Sequence, residues 1–165
     1  MRRIPFPKDQ IDQYIEECAR TSCFICDIVE GKDIRKKHHI IFEDDQTIVF
    51  LSNKPTQYGH VLVCPKKHVE QLASDLNEAD YLELQTVAHR TNRVVSKVVE
   101  HERLYIASFG SQQMNSHIHF HVVPIPPGTP IREQQMASMM PELVGYLELE
   151  ESEWKELTNK LRQEF

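Results

Sequence analysis

The hydrophobic positions change period several times along the chain, and each change predicts an element. Ile11, Tyr14, Ile15 and Cys18 fall at helical spacing within residues 8–20, which predicts a short amphipathic helix leading into the run TSCFIC. Strands are expected near 39–44 and 47–52, divided by the turn-forming pair Asp44 and Asp45, and again over 60–64, HVLVC, where Pro65 stops the run. At Asn77 the period returns to that of a helix. Asn77 is a good N-cap, Asp80 follows as a box-like carboxylate, and Leu76 is placed to staple against Tyr81. Tyr81, Leu84, Ala88, Thr91, Val95 and Val98 then form a stripe that predicts one long helix to about residue 100. Two further strands are expected near 103–109 and 117–124.

The stretch PIPPGTP, residues 124–130, cannot continue a strand, because proline removes ladder donors and restricts its neighbour. It leaves the sheet as a rigid strap. Beyond it, residues 150–165 read as a terminal helix with Trp154, Leu157 and Leu161 on its apolar face, expected to pack rather than to act as a flap. With 165 residues, 40% of them hydrophobic, and neither repeat nor linker, residues 1–165 are expected to form one domain.

A net charge of −6 argues against general nucleic-acid binding, which needs a basic surface, so any phosphate site must be local. No N-terminal run suits a signal peptide and none later approaches a membrane span, so a soluble, cytoplasmic protein without a membrane partner is expected. The four cysteines do not make a disulfide framework. Cys23 and Cys26 form a CxxC, for which metal and redox use are the intracellular readings, whereas Cys18 and Cys64 sit in apolar patterns.

The candidate chemistry lies in HIHFHVV, residues 117–123. A period of two predicts that His117, His119 and His121 share one face of a strand while Ile118, Phe120 and Val122 share the other. Alternate strand residues lie about 6.5–7 Å apart, so the outer pair would be roughly 13 Å apart and the three could not easily hold one ion. A row of imidazoles suits an anionic substrate, since neutral imidazole is a nucleophile near neutral pH and imidazolium donates to phosphate.

HIHFHVV resembles the signature of the histidine-triad (HIT) nucleotide hydrolases and transferases. Residues 40–68, IIFEDDQTIVFLSNKPTQYGHVLVCPKKH, are similar to that family's strand, strand, GH, strand, PKxH segment, and the likeness spans about residues 20–125, leaving 126–165 as a C-terminal extension. The resemblance implies an α+β, HIT-like fold: a five-stranded antiparallel sheet with one long helix, plus N- and C-terminal helices. It also implies a homodimer formed through that helix and an edge strand. The nucleophile toward a nucleotide α-phosphate would be His119, its tautomer fixed by the backbone carbonyl of His117, with His121 donating to the phosphate oxygens. A transferase branch carries Gln at the third position, so His121 tilts the reading toward hydrolysis.

Gln113, Asn115 and Ser116 are the polar candidates for orienting phosphate, although Gln112 and Met114 depart from the family pattern. Ser52, with Asn53 beside it, stands where the family holds ribose, and His60 resembles a fourth histidine, for which a hydrogen-bonded core position is the rival reading. In the zinc-bearing branch the ligands would map to Cys23, Cys26, His68 and His117, a closed set suited to structural Zn²⁺. Redox use of the CxxC, or His38 or His39 in place of His68, are the alternatives. The function implied is hydrolysis of a nucleoside 5′-phosphate derivative, a phosphoramidate or a dinucleoside polyphosphate-like anhydride. Nucleotidyl transfer and a non-catalytic nucleotide-binding zinc protein are the rivals.

Overall fold

A computed structural model describes residues 1–7, 11–32, 38–109 and 115–165. In chain order the elements are β1 (Arg2–Ile4), α1 (Ile11–Arg20), α2 (Phe24–Val29), β2 (Ile40–Glu43), β3 (Thr47–Leu51), β4 (Val61–Pro65), α3 (Leu72–Asp75), α4 (Glu78–Val98), β5 (Arg103–Ala107) and β6 (Phe120–Ile125). A 3₁₀ turn over Ile131–Glu133 follows, then α5 (Met136–Met139), α6 (Pro141–Val144), β7 (Tyr146–Glu148) and α7 (Glu151–Glu164).

The five strands β2 to β6 make an antiparallel sheet in the order β2-β3-β4-β6-β5, which is the expected α+β class. Every residue of β3 and β4 is buried, so these two central strands read as unbroken apolar runs rather than alternating ones. Both sheet faces are covered, and that removes the polar alternation. Val49, Leu51, Val61, Val63, Phe120 and Val122 face the core under α4 and α7. Ile48, Phe50, Leu62 and Cys64 face the other way, against Ile25 and Ile28 of α2. On that second face Val123 and Ile125 instead meet Met139 of α5. His121 pairs with Leu62 on one side and Ala107 on the other, which places it between these two small cores.

The start of α4 follows its sequence signal, because the Asn77 side chain accepts from the Asp80 N–H at 2.9 Å. The middle of the predicted stripe is buried as expected, and its two ends differ. Leu84, Val87, Ala88, Thr91, Val94 and Val95 are buried, whereas Tyr81 is exposed and Val98 only half-buried. α7 starts with a reciprocal capping box between Glu150 and Glu153, buries Leu157 and Leu161 against α4 and β2, and stacks Trp154 on His39 with ring centroids 5.0 Å apart. The two-stranded ribbon β1–β7 has no counterpart in the sequence-based expectations, nor do the short helices α2, α5 and α6. Gly145, at φ 72°, lets β1 cross closely, since a Cβ there would meet the Ile4 carbonyl oxygen at 2.3 Å. Among the described residues no helix is long and apolar enough to cross a membrane.

Candidate active site and metal cluster

The triad is not one uniform strand. Pairing of β4 with β6 runs through Val61↔Val122, Leu62↔His121 and Val63↔Phe120, and β6 begins only at Phe120. Before it the backbone turns to a new partner, the Ile118 N–H donating to the Val69 carbonyl at 2.8 Å. This corrects the expected strand start from 117 to 120, while the alternation holds, since Ile118, Phe120 and Val122 pack together in one core. The physical reason is that β4 runs out at Pro65, which has no N–H to extend the ladder; pairing ends two residues before it, at Val63↔Phe120, and residues 117–119 take partners elsewhere. His117, His119 and His121 therefore occupy three environments.

His119 places its Nδ1 2.7 Å from the backbone carbonyl oxygen of His117. A carbonyl only accepts, so Nδ1 carries the proton and Nε2 keeps the lone pair. Burial holds the His119 pKa below the usual imidazole value, partly offset by that same carbonyl, which keeps the ring neutral and nucleophilic near pH 7.

His121 is set the opposite way. The Thr56 backbone N–H donates to His60 Nδ1 at 3.3 Å, which leaves the proton of His60 on Nε2, 2.9 Å from His121 Nδ1. His121 Nδ1 must accept there, so its own proton sits on Nε2. His60 is wholly enclosed and burial, with the nearby His119, takes its pKa down to about 3. Burial likewise holds His121 well below the ordinary value, reinforced by His60 and His119. Gly59 makes the close approach of this loop possible: it sits at φ 83°, and a Cβ would lie 2.7 Å from Val99 Cγ2. The ring centroids of His119 and His121 are 4.8 Å apart, so a ring with its lone pair on Nε2 lies beside a ring with its proton on Nε2.

His117 belongs to a different cluster. Its Nε2–H donates to the Pro65 carbonyl at 2.9 Å, which turns Nδ1 toward Cys23 Sγ at 3.3 Å and Cys26 Sγ at 3.6 Å. His68 Nδ1 lies 3.2 Å from Cys26 Sγ, and its Nε2–H donates to Glu70 Oε1 at 3.1 Å. The four donor atoms of Cys23, Cys26, His68 and His117 all lie within 4.8 Å of one another. A tetrahedral Zn²⁺ bonded to sulfur and nitrogen at its usual lengths spaces its ligand atoms about 3.3–3.8 Å apart, so the set fits such an ion. Each histidine already gives its second nitrogen to an acceptor, as metal-bound imidazoles do. Without a cation, burial and then the neighbouring Cys23 push the Cys26 thiol up to about 12, a strain that a divalent ion would reverse. His39, stacked on Trp154, lies outside this cluster.

The remaining sequence candidates are more scattered. Ser52, at the end of β3, is buried and Asn53 exposed. Asn115 carries a buried Nδ2 that makes no hydrogen bond among the described residues, an unmet donor near the triad. Ser116 directs its hydroxyl to Glu70 Oε1 at 2.5 Å. Gln113 lies outside the described residues, as do Gln112 and Met114. Sequence reasoning missed Thr56, Glu70 and Phe109, whose ring centroid is 5.7 Å from that of His121. Only Glu70 carried a signal, an acidic side chain two residues beyond a candidate ligand.

Residues 34–127 match the family model of the HIT domain. The chain belongs to the HIT family. It is 34% identical over 116 residues to an uncharacterized HIT-like protein of Mycoplasma genitalium, covering 67% of this chain and 77% of that one. It is 32% identical over 110 residues to the adenosine 5′-monophosphoramidase of Schizosaccharomyces pombe, covering 64% and 75%. Among solved structures, a zinc-bound histidine triad family protein from Mycobacterium smegmatis is similar with a TM-score of 0.64 at 27% identity, covering 86% of this chain and 94% of that one. This HIT chain shares its sheet, and brings two cysteines and two histidines to one point.

Proposed function

We propose that the protein hydrolyses nucleoside 5′-phosphate derivatives, phosphoramidates or dinucleoside polyphosphate-like anhydrides, through a nucleotidyl group carried on His119. The observation that carries this reading is the pair of opposite tautomers, a lone pair on His119 Nε2 beside an N–H on His121. In the first step His119 Nε2 attacks the α-phosphorus, a P–N bond forms, and the bond to the leaving group breaks with its electron pair departing on that group, which takes a proton from solvent where it is an amine. The His121 N–H stabilises charge on the non-bridging oxygens. Water then attacks the same phosphorus and gives up a proton to solvent, the P–N bond breaks, and nucleoside 5′-monophosphate leaves while Nε2 regains its lone pair. The S. pombe relative supports an adenosine phosphoramidate as first substrate to test.

Cys23, Cys26, His68 and His117 would hold a structural Zn²⁺. Four protein ligands leave no place for a water, so the ion's contribution is to clamp α2 to β4 and to the segment before β6. The clamp bears on chemistry indirectly, since the His117 side chain faces the cluster while its carbonyl fixes His119. Asn115 is proposed to meet phosphate with its free N–H groups, with Gln113 beside it, and Ser52 and Asn53 to meet the ribose. A homodimer through α4 and edge strand β5 is proposed from the exposed Tyr81, Leu82 and Ile106 on those elements. The test is turnover of adenosine 5′-phosphoramidate with and without added phosphate. Release of AMP regardless of phosphate fits hydrolysis, phosphate-dependent ADP formation fits the transferase reading, and tight binding without turnover contradicts both.

A further inference from the structure

Segments 68–70 and 116–118 each supply one histidine to the metal cluster, His68 and His117, and two hydrogen bonds bracket those ligands. One is the backbone bond from Ile118 N–H to the Val69 carbonyl at 2.8 Å. The other is the bond from the Ser116 hydroxyl to Glu70 Oε1 at 2.5 Å. The same Glu70 oxygen also accepts from His68 Nε2 at 3.1 Å. Glu70 itself is anchored, because its backbone N–H and that of Gln71 both donate to Asp75 Oδ2 at 2.9 Å.

Left to itself, the His68–Glu70 contact would be weak. The two side chains are 43% and 42% exposed, and an ion pair in that setting contributes little. The second donor changes this. A carboxylate oxygen held between a hydroxyl and an imidazole N–H has one place to be, and it fixes the His68 ring with Nδ1 toward the sulfurs before any ion arrives.

We propose that Glu70 is a positioning residue that joins the two histidine-bearing segments through its shared oxygen, so that Ser116, which is no ligand, sets the affinity of the metal cluster. The hydroxyl of Ser116 thus serves the cluster rather than phosphate. This rests on the metal reading of the four ligands.

The experiment measures zinc affinity by competition with a chromophoric chelator, together with thermal unfolding of metal-free and zinc-loaded protein. Wild type, Glu70→Ala, Glu70→Gln, Ser116→Ala, Ser116→Thr and the Glu70→Ala/Ser116→Ala double variant are compared. Glu70→Ala is expected to weaken zinc binding about 10–100-fold, the usual cost of losing a ligand's supporting acceptor. Ser116→Ala weakens it by a smaller factor and Ser116→Thr restores it. Glu70→Gln, whose amide oxygen still accepts, falls between Glu70→Ala and wild type. The double variant is no weaker than Glu70→Ala, because both changes break one link. The melting temperature of the metal-free protein stays unchanged while the gain on adding zinc shrinks.

If wild type binds zinc tightly and Ser116→Ala matches it within twofold, or if the two losses add, the link through Glu70 is overturned while the metal cluster stands. If wild type binds no zinc, the cluster reading falls and this inference falls with it.

Discussion

Two groups of histidines lie a few residues apart in this HIT protein and are built on opposite terms. At the cluster of His68, His117, Cys23 and Cys26, each histidine gives its N–H away, to Glu70 and to the Pro65 carbonyl, and all four residues turn donor atoms inward at one point. At the second group His119 gives its N–H to the His117 carbonyl, while a line of donors runs from Thr56 to His60 and from His60 to His121, which leaves a lone pair on His119 Nε2 and an N–H on His121 Nε2. The first arrangement gathers four donor atoms that could hold a cation, and the second gives His60, His119 and His121 hydrogen-bond partners within the protein. Carbonyls and backbone N–H groups decide the difference, because they allow each imidazole one tautomer.

The largest expected break is at the nucleophile. His119→Ala should reduce turnover of adenosine 5′-phosphoramidate by at least about a thousandfold while nucleotide affinity changes only a few-fold, since the bond-forming atom is removed and no packing group goes with it. Steady-state kinetics with an equilibrium binding measurement checks this. Activity within a few-fold of wild type would mean that His119 is not the attacking group.

At the other cluster, Cys23→Ser or Cys26→Ser should lose metal and stability together. A loss of about 2 kcal/mol corresponds to about 4–8 °C in melting temperature for a chain of this size. Elemental analysis of tag-free protein purified without chelator, followed by thermal unfolding, gives both numbers. Metal that persists after both cysteines are changed would return the CxxC to packing or redox use.

His60 gives the deeper of two pH signatures, since His117 in the metal cluster is also held down, chiefly by burial, to about 4. In the unfolded chain His60 takes a proton near the ordinary value of about 6.5, whereas in the folded protein it does so only at about 3. Between those values the unfolded state binds more protons, so stability is full above about pH 6.5 and falls as pH drops toward 3. His60→Gln should flatten that acid slope and lower kcat about tenfold by releasing the His121 tautomer. Denaturant unfolding across pH 4–7 would show it, and an unchanged slope would place the acid sensitivity elsewhere.

The smallest effect is expected at the sugar. Ser52 is short and lies at the end of β3, so 2′-deoxy substrates should be used within about tenfold of ribo substrates. Stronger rejection would move ribose recognition to Asn53 or the backbone.

Much of this was legible in the residues themselves. The five strands, the Asn77 cap and the long helix follow from period and capping chemistry, and the four clustered donors follow from the family resemblance. The middle of the helical stripe is legible and its ends, Tyr81 and Val98, are not, because helical spacing fixes a face but not how far along the helix the sheet reaches. The strand from 117 was misjudged for a different reason. A period of two shows that side chains alternate, yet it does not show how far a ladder runs, and pairing with β4 ends at Val63↔Phe120, two residues before the proline that lacks a donor. The ribbon β1–β7 was invisible because three-residue strands carry no period of their own. The Glu70–Ser116 bond joins positions far apart in sequence, which no local pattern can report.

The division of labour between His117 and His119 is tested most directly by trapping the intermediate. Acid-sensitive adducts would be preserved by alkaline quench during turnover of adenosine 5′-phosphoramidate, and the peptide spanning residues 117–123 sequenced by mass spectrometry. An adenylyl group on His119, absent from His117 and His121, is the predicted result. An adduct on another residue, or turnover through a step that leaves no adduct under conditions where a model phosphohistidine survives, would contradict it.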